Sequence, residues 1–312
     1  MYQPYLRGKQ NEMMALRELI PLISVNQSKI SPIIEPVKPS RNFEISLRKL
    51  IENNINFTII VNPQVGKFKS NYNIFAYLSP ILNGYTNYQA GIIIENFNNA
   101  PIITQHMAAN NLTPLGFTII YNSTDTIHTQ DVILFTNFLP IIYNVVNLKK
   151  TITDRNFIQN FSSNSRVTLV DYFKSQSKNI LYLHNPDSTF SNDFANFINQ
   201  GNVGFGDYLT VGEDYSETGA SPYAVAIHIS YLNINTISVK HFTSDTNHDQ
   251  SDPAGKFFEA NQKLVNWCQA NGINTLGCNG FIQLQNNQHY PGLGILKKFS
   301  IMNHIELNIN LI

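Results

Sequence analysis

Short apolar runs alternate with helix-type apolar stripes over most of this chain. The runs at 57–61, 90–94, 116–121 and 141–146 consist mainly of Ile, Val, Phe and Tyr, a composition that is typical of strands. Between the runs, apolar residues recur at spacings of three and four, which indicates amphipathic helices. Strands that are apolar throughout are buried on both faces, so the pattern predicts a parallel sheet covered by helices.

Seven or eight such strand–helix units fit the chain of 312 residues. This number favours an α/β fold with a single (β/α)8 barrel, a TIM-barrel-like domain that spans residues 1–312. Within it, we expect residues 1–29 to form an N-terminal segment and residues 273–312 to form an irregular C-terminal extension, both packed on the barrel. An open doubly wound sheet is the alternative, although no glycine-rich dinucleotide loop follows the first strand.

A different pattern occupies the region around residues 204–245. Two apolar runs, 223–232 and 236–242, flank a short polar connection, and this arrangement predicts a β-hairpin. Each run carries one histidine, His228 and His241. We expect these late strands to close the barrel onto its first strand. The histidines are then either hydrogen-bonded core residues or functional groups, because an unpaired buried polar group is unfavourable by about 1–3 kcal/mol.

The charge and cysteine content exclude several classes of protein. Lys and Arg together number 21, as do Asp and Glu, so the net charge is zero; this argues against a globally basic nucleic-acid-binding protein. The two cysteines, Cys268 and Cys278, are too few for a disulfide framework and lack metal-site spacing. The N-terminal residues contain no apolar signal core, and no apolar run is long enough for a membrane span. We therefore expect a soluble, cytoplasmic protein without membrane contact.

Several segments resemble, in order along nearly the whole chain, the family named after the phage "beta protein". They are PYLRGKQNEMMALREL at 4–19, PIIEPVK at 32–38, VNPQVG at 61–66, GFGDYLTVG at 204–212, AVAIHISY at 224–231, KHFTSD at 240–245 and GLGILKKFSIMNHIEL at 292–307. The resemblance implies a phage or bacterial mobile-element setting, association with antiviral defence, and a nuclease-like protein partner. It implies no catalytic residue.

Three acidic residues mark the most probable position of a functional site. In parallel α/β folds such sites form at the carboxyl ends of the strands, and Glu35, Glu95 and Asp171 stand at or near predicted strand ends. We predict that these acids line one pocket with His228 and His241 and act as catalytic groups. The carboxylates could also hold a divalent metal. The alternative is that they cap helices or pair with nearby lysines.

Further polar residues are candidate ligand contacts at the same mouth of the barrel. They are Arg7, Lys9, Lys38, Asn62, Asp207 and Ser244. Arg7 and Lys9 suit an anion such as a small phosphorylated ligand, because a guanidinium fork matches phosphate oxygens; the alternative is a salt-bridged turn. The segment 291–294 opens a helix whose N-terminus could also bind an anion.

The established catalytic motifs are missing from this sequence. It contains no GxSxG elbow, no Walker loop, no HExxH motif and no kinase signature. Two classes of function therefore stay open. One is a hydrolase that acts on a phosphate ester or nucleotide at the barrel mouth, within an anti-phage or mobile-element system. The other is a non-catalytic binding or sensor protein that partners a neighbouring nuclease.

Overall fold

The structure is a computed structural model that describes residues 1–70, 73–94, 100–122, 139–148, 152–216 and 223–312. The sequence also predicts a helix at 131–138; that segment and the predicted site residue Glu95 lie outside the described residues.

Eight parallel strands form a nearly closed barrel, which confirms the predicted fold class. The strands are β1 (Tyr5–Leu6), β2 (Ile33–Ile34), β3 (Phe57–Ile60), β4 (Tyr88–Ile94), β5 (Gly116–Tyr121), β6 (Ile141–Asn147), β7 (Arg166–Val170) and β9 (Gly204–Asp207). They pair in this order, each parallel to the next. Tyr2 then bridges to Phe205, and the Gln3 amide donates to the Phe205 carbonyl at 2.8 Å. These bonds join the last barrel strand to the first.

Alternation along the strands divides the apolar side chains into two layers. One set fills the barrel interior: Tyr5, Ile33, Ile60, Ile93, Ile120, Val145, Val167, Leu169 and Tyr208. The intervening side chains, such as Leu6, Ile34 and Ile59, belong to the larger core between the strands and the surrounding helices. Burial on both faces is the reason why these strands lack polar alternation.

The helices that cover the barrel follow the predicted stripes. They are α1 (Gln10–Glu18), α2 (Ile20–Ser24), α3 (Arg41–Glu52), α4 (Gly66–Ser70), α5 (Ile74–Leu82), α6 (Ala100–Ala109) and α7 (Ile152–Ile158). Helix α3 illustrates the local cause: the Ser40 hydroxyl accepts a hydrogen bond from the Phe43 amide at 3.1 Å, and Phe43, Leu47 and Leu50 turn one apolar face inward.

A second, antiparallel sheet lies outside the barrel. It shows that two predictions were wrong, one about barrel closure and one about a helix. It contains β8 (Asp187–Ser191), β10 (Ala226–Asn233) and β11 (Thr236–Thr243), all antiparallel, in the order β10-β11-β8. The hairpin was thus predicted correctly, but its role in closing the barrel was wrong, because β9 takes the closing position beside β1. The sequence also predicts a helix at 190–198, but its first residues belong to β8, and the helix that forms there is the short α8 (Asp193–Asn196); a 3-10 helix (Asn179–Leu183) precedes β8.

Three C-terminal helices complete the fold. Helix α9 (Pro253–Ala270) and helix α10 (Leu276–Asn286) pack with the hairpin in a separate apolar cluster. Helix α11 (Leu293–Leu311) contacts both α1 and β10, so it joins the barrel to the second sheet. The extension is therefore largely helical. Residues 1–29 are not an added segment, because they supply the first barrel strand. Within the described ranges, no helix is long and apolar enough to cross a membrane.

Candidate functional site

Polar residues gather at the carboxyl end of the barrel because of strand alternation. Ile33, Ile60 and Leu169 point into the barrel, so the residue two positions after each also faces inward. Those residues are Glu35, Asn62 and Asp171. By the same rule, Arg7 faces inward because it lies two residues after Tyr5, and Asn147 faces inward because it lies two residues after Val145. The barrel mouth is therefore lined by polar side chains.

Glu35 is the most buried charged residue of this mouth, and both of its carboxylate oxygens are occupied. Its Oε2 accepts from the Tyr5 hydroxyl at 2.7 Å and pairs with the Arg7 guanidinium. Its Oε1 accepts from the backbone amide of Gln64 at 2.7 Å. The side chain has no exposed surface. A buried carboxylate needs such partners, since an unpaired buried charge is strongly unfavourable.

Arg7 connects Glu35 to the second predicted acid, Asp171. The Arg7 Nη2 atom donates to the carbonyl of Glu213 at 2.6 Å, and the Glu213 amide donates to Asp171 Oδ2 at 2.8 Å. The other Asp171 oxygen accepts from the Phe173 amide at 3.0 Å. The structure thus brings together Arg7, Glu35 and Asp171, as predicted, but as one hydrogen-bonded network.

Asn147, Tyr208 and Glu213 complete this network and were not predicted. Asn147 Nδ2 lies 3.0 Å from the Tyr208 hydroxyl and 2.9 Å from Glu213 Oε1. The sequence pattern could have predicted Asn147 at the mouth, since it lies two residues after the inward-facing Val145. Glu213 lies in a loop, where no periodicity places a side chain.

The predicted metal site does not form among the residues described. No group of three or more His, Cys, Asp or Glu side chains able to hold a metal ion occurs there. Glu35 and Asp171 already accept hydrogen bonds on both oxygens. Glu95, the third proposed ligand, lies outside the described ranges. The two described carboxylates are thus held as structural acceptors.

His228 and His241 form a pair on the second sheet. They are directly opposite on β10 and β11, and their Nδ1 atoms are 2.8 Å apart. His241 Nε2 lies 3.0 Å from the Ser188 hydroxyl. The Phe173 ring contacts both imidazoles, while its backbone amide binds Asp171. The histidines thus pair with each other across the antiparallel ladder, and the prediction of one pocket shared with the acids stays a prediction.

Burial keeps both histidines neutral at pH 7. Burial, the neighbouring His241 and Lys297 lower the pKa of His228 to about 3. Burial is also the main cause that lowers the pKa of His241 to about 4, although Asp187 opposes the shift. Two neutral imidazoles joined through Nδ1 require one donor and one acceptor. The Ser188 hydroxyl can take either role toward His241, so the chain Ser188–His241–His228 is fully compatible with hydrogen bonding.

Two of the predicted ligand contacts do not reach the mouth, and Asn62 does. Asp207 faces outward, where it accepts from the Tyr2 hydroxyl at 2.9 Å and lies 3.2 Å from His304 Nε2. Ser244 is buried in the second sheet and accepts from the Val225 amide at 3.0 Å. Asn62 exchanges two hydrogen bonds with the backbone of Ile93, so its amide holds β3 to β4.

Lys9 and Lys38 line a cavity of about 520 Å³ beside the barrel mouth. The helix-entry residue Gly294 lines the same cavity, as do the first residues of α1, α3 and α11. The first-turn amides of a helix have no partner within the helix. Neither Lys9 nor Gly292, the residues that precede α1 and α11, caps its helix with a side chain. The cavity therefore combines uncapped helix N-termini with the positive ends of their dipoles.

Among the described residues, four cations and one acid line this cavity, which we call the cationic cavity. The cations are Lys9, Lys38, Arg41 and Lys297, and the acid is Glu12. Lys9 donates to the Ser216 carbonyl at 2.7 Å and lies over the Tyr215 ring. Glu12 Oε2 accepts from the Arg7 amide at 2.5 Å, while its buried Oε1 has no partner in the described part of the chain.

Glu12 contributes little accessible negative surface to the cavity. Burial raises the pKa of its carboxyl, although Lys297 and the Arg7 amide oppose the shift. Glu12 is also only 2% exposed. The accessible groups of the cationic cavity are consequently mostly positive.

Comparison with known proteins found no family model, no curated protein and no solved structure that matches this chain. The family resemblance of the sequence segments stays a prediction.

Proposed function

We propose that this protein binds a small phosphorylated ligand in the cationic cavity, at the carboxyl end of the barrel. The convergence of α1, α3 and α11 at one cavity carries the proposal. Backbone amides at helix N-termini bind phosphate oxygens, and the helix dipole favours negative charge there. The position also agrees with the fold, since ligands of (β/α)8 proteins bind at this face of the barrel.

Lysine and arginine side chains around the amides strengthen the case for phosphate over an uncharged ligand. Lys38 is exposed. Arg41 lines the cavity from α3, and Lys297 lines it from α11. Charge-assisted hydrogen bonds to a phosphate are roughly twice as strong as neutral ones. A dianion bridging these elements would offset the mutual repulsion of the cations, and Glu12 is the one carboxylate among the described residues that line the site.

Binding without chemistry is favoured at the mouth itself. A general base must reach the substrate, whereas the Glu35 side chain has no exposed surface and is ion-paired with Arg7, and backbone amides hold both Asp171 oxygens in place. We therefore place the non-catalytic binding or sensor role first. In the setting that the family resemblance implies, the protein would be a ligand-sensing component of an anti-phage or mobile-element system and would act with a nuclease-like partner.

Hydrolysis of a phosphate ester is the second candidate function. One observation favours it: His228, a neutral imidazole, lines a smaller cavity that shares Leu293 and Lys297 with the cationic cavity. A neutral imidazole can accept a proton from an attacking water. The release of inorganic phosphate from a panel of phosphate esters would put this candidate first, and its absence would leave the binding role.

Isothermal titration calorimetry with inorganic phosphate and pyrophosphate tests the proposal. We expect phosphate binding that becomes weaker as the salt concentration rises. The Lys38→Gln substitution should lower the affinity by about tenfold, which corresponds to the loss of one charge-assisted contact of about 1.4 kcal/mol. The matched control is Lys174→Gln, because Lys174 is equally exposed and lines none of the cavities described above. Absence of binding by the wild type, or an equal loss in both variants, would contradict the proposal.

A further inference from the structure

A second, smaller cavity adjoins the cationic cavity. It has a volume of about 180 Å³ and is lined mainly by the start of β10, by Thr210 and by α11. Leu293 and Lys297 line both cavities, so the two spaces meet along one turn of α11. Lys297 also acts electrostatically on Glu12 in one cavity and on His228 in the other. The two cavities are therefore neighbours on either side of the contacts made by the Lys297 side chain.

The smaller cavity differs in chemistry from the larger one. Its walls include Val225, Ile227 and Leu296, which offer apolar surface. Its polar groups include the Thr210 hydroxyl, which is buried and has no hydrogen-bond partner among the residues described. Since buried hydroxyl groups are nearly always hydrogen-bonded, Thr210 lacks a partner that a ligand can supply.

His228 supplies a second uncharged polar group to this cavity. Its Nδ1 is engaged by His241, which leaves Nε2 as the nitrogen that can contact a ligand. Burial lowers the pKa of His228 to about 3, so the imidazole is neutral at physiological pH. A neutral imidazole and a hydroxyl both form hydrogen bonds readily with an alcohol. Neither carries a positive charge, so this cavity does not favour a second anionic group on the ligand.

We infer that the ligand is a phosphorylated polyol or small sugar. Its phosphate would lie in the cationic cavity and one of its hydroxyl groups would contact Thr210 and His228. This inference rests on the proposed function. The apolar walls contact the C–H faces of the carbon chain. A volume of about 180 Å³ equals roughly six water molecules at ~30 Å³ each, which suits a chain of three to five carbons. Lys297 lies where the phosphate and the hydroxyl-bearing part join.

Calorimetry with three probes separates this inference from the proposed function. The probes are inorganic phosphate, glycerol 3-phosphate and ribose 5-phosphate. We expect the two esters to bind about tenfold more tightly than inorganic phosphate, a gain typical of one or two added hydrogen bonds. In Thr210→Val, whose side chain has nearly the same shape, this gain should disappear while the affinity for inorganic phosphate is kept.

Thr243→Val is the matched control. Thr243 is also buried, and its hydroxyl has no hydrogen-bond partner among the described residues, but it does not line the smaller cavity. Its replacement should leave the gain intact. If inorganic phosphate binds but the esters bind no more tightly, or if both valine variants lose the gain equally, the inference is overturned and the proposed function stands. If inorganic phosphate and both esters fail to bind, both are overturned.

Discussion

The histidine pair should make the stability of this protein depend on pH. His228 and His241 have pKa values of about 3 and about 4 in the folded protein, against 6.5 as the ordinary value. Because the folded values are lower, the unfolded chain binds more protons between pH 6.5 and pH 4. Stability is therefore fully present above pH 6.5 and is lost as the pH falls toward the folded pKa values.

The size of the effect follows from linkage. At pH 5 the unfolded chain carries nearly one additional proton per histidine, and this lowers the free energy of unfolding by about 2 kcal/mol for a fully buried ring. The His228 ring is partly exposed, so we expect about 1–2 kcal/mol per histidine. The pair together should then remove about 2–4 kcal/mol between pH 8 and pH 5.

Urea unfolding at pH 8, 6.5 and 5 measures this loss, followed by circular dichroism. The double variant His228→Asn/His241→Gln keeps amide groups near the Nδ1 and Nε2 positions but cannot titrate. It should lose about 2–4 kcal/mol less than the wild type over the same interval. His248→Gln is the control, because His248 is exposed, and it should follow the wild type. The same pH dependence in the double variant and the wild type would refute the reasoning.

Two further substitutions test the packing of the barrel by thermal or urea unfolding. Gly66→Ala places a methyl group 2.2 Å from the Val37 carbonyl oxygen at a φ of +68°, and it should lower the free energy of unfolding by at least about 2 kcal/mol. The control Gly84→Ala, at a φ of +76° but in open space, should lower it by only about 1 kcal/mol. Equal losses in the two variants would contradict the steric role of the Val37 contact. Asp207→Ala leaves Tyr2 and His304 without their buried acceptor and should cost about 3 kcal/mol; a loss below about 1 kcal/mol would show that the Asp207 contacts do not stabilise the fold.

Local pattern was sufficient to predict much of the barrel and part of its mouth. Strand alternation and the position after a strand end depend only on neighbouring residues. For this reason Glu35, Arg7 and Asp171 were predicted at the mouth and are found there. The same reasoning failed for Asp207, because the sequence did not show which face of β9 turns toward α11. There His304 and Tyr2 provide its partners.

The sequence by itself determined the α/β class, the parallel barrel and the acidic and basic groups at its carboxyl end, since these follow from the periodicity of apolar residues. Only the tertiary structure decided that the hairpin forms a separate antiparallel sheet with β8, in which His228 and His241 face each other. It also brought Lys9, Lys38 and Lys297 into one cavity. Strand partners and converging helix ends depend on burial between residues that are distant in the chain, and local periodicity carries no information about such pairs.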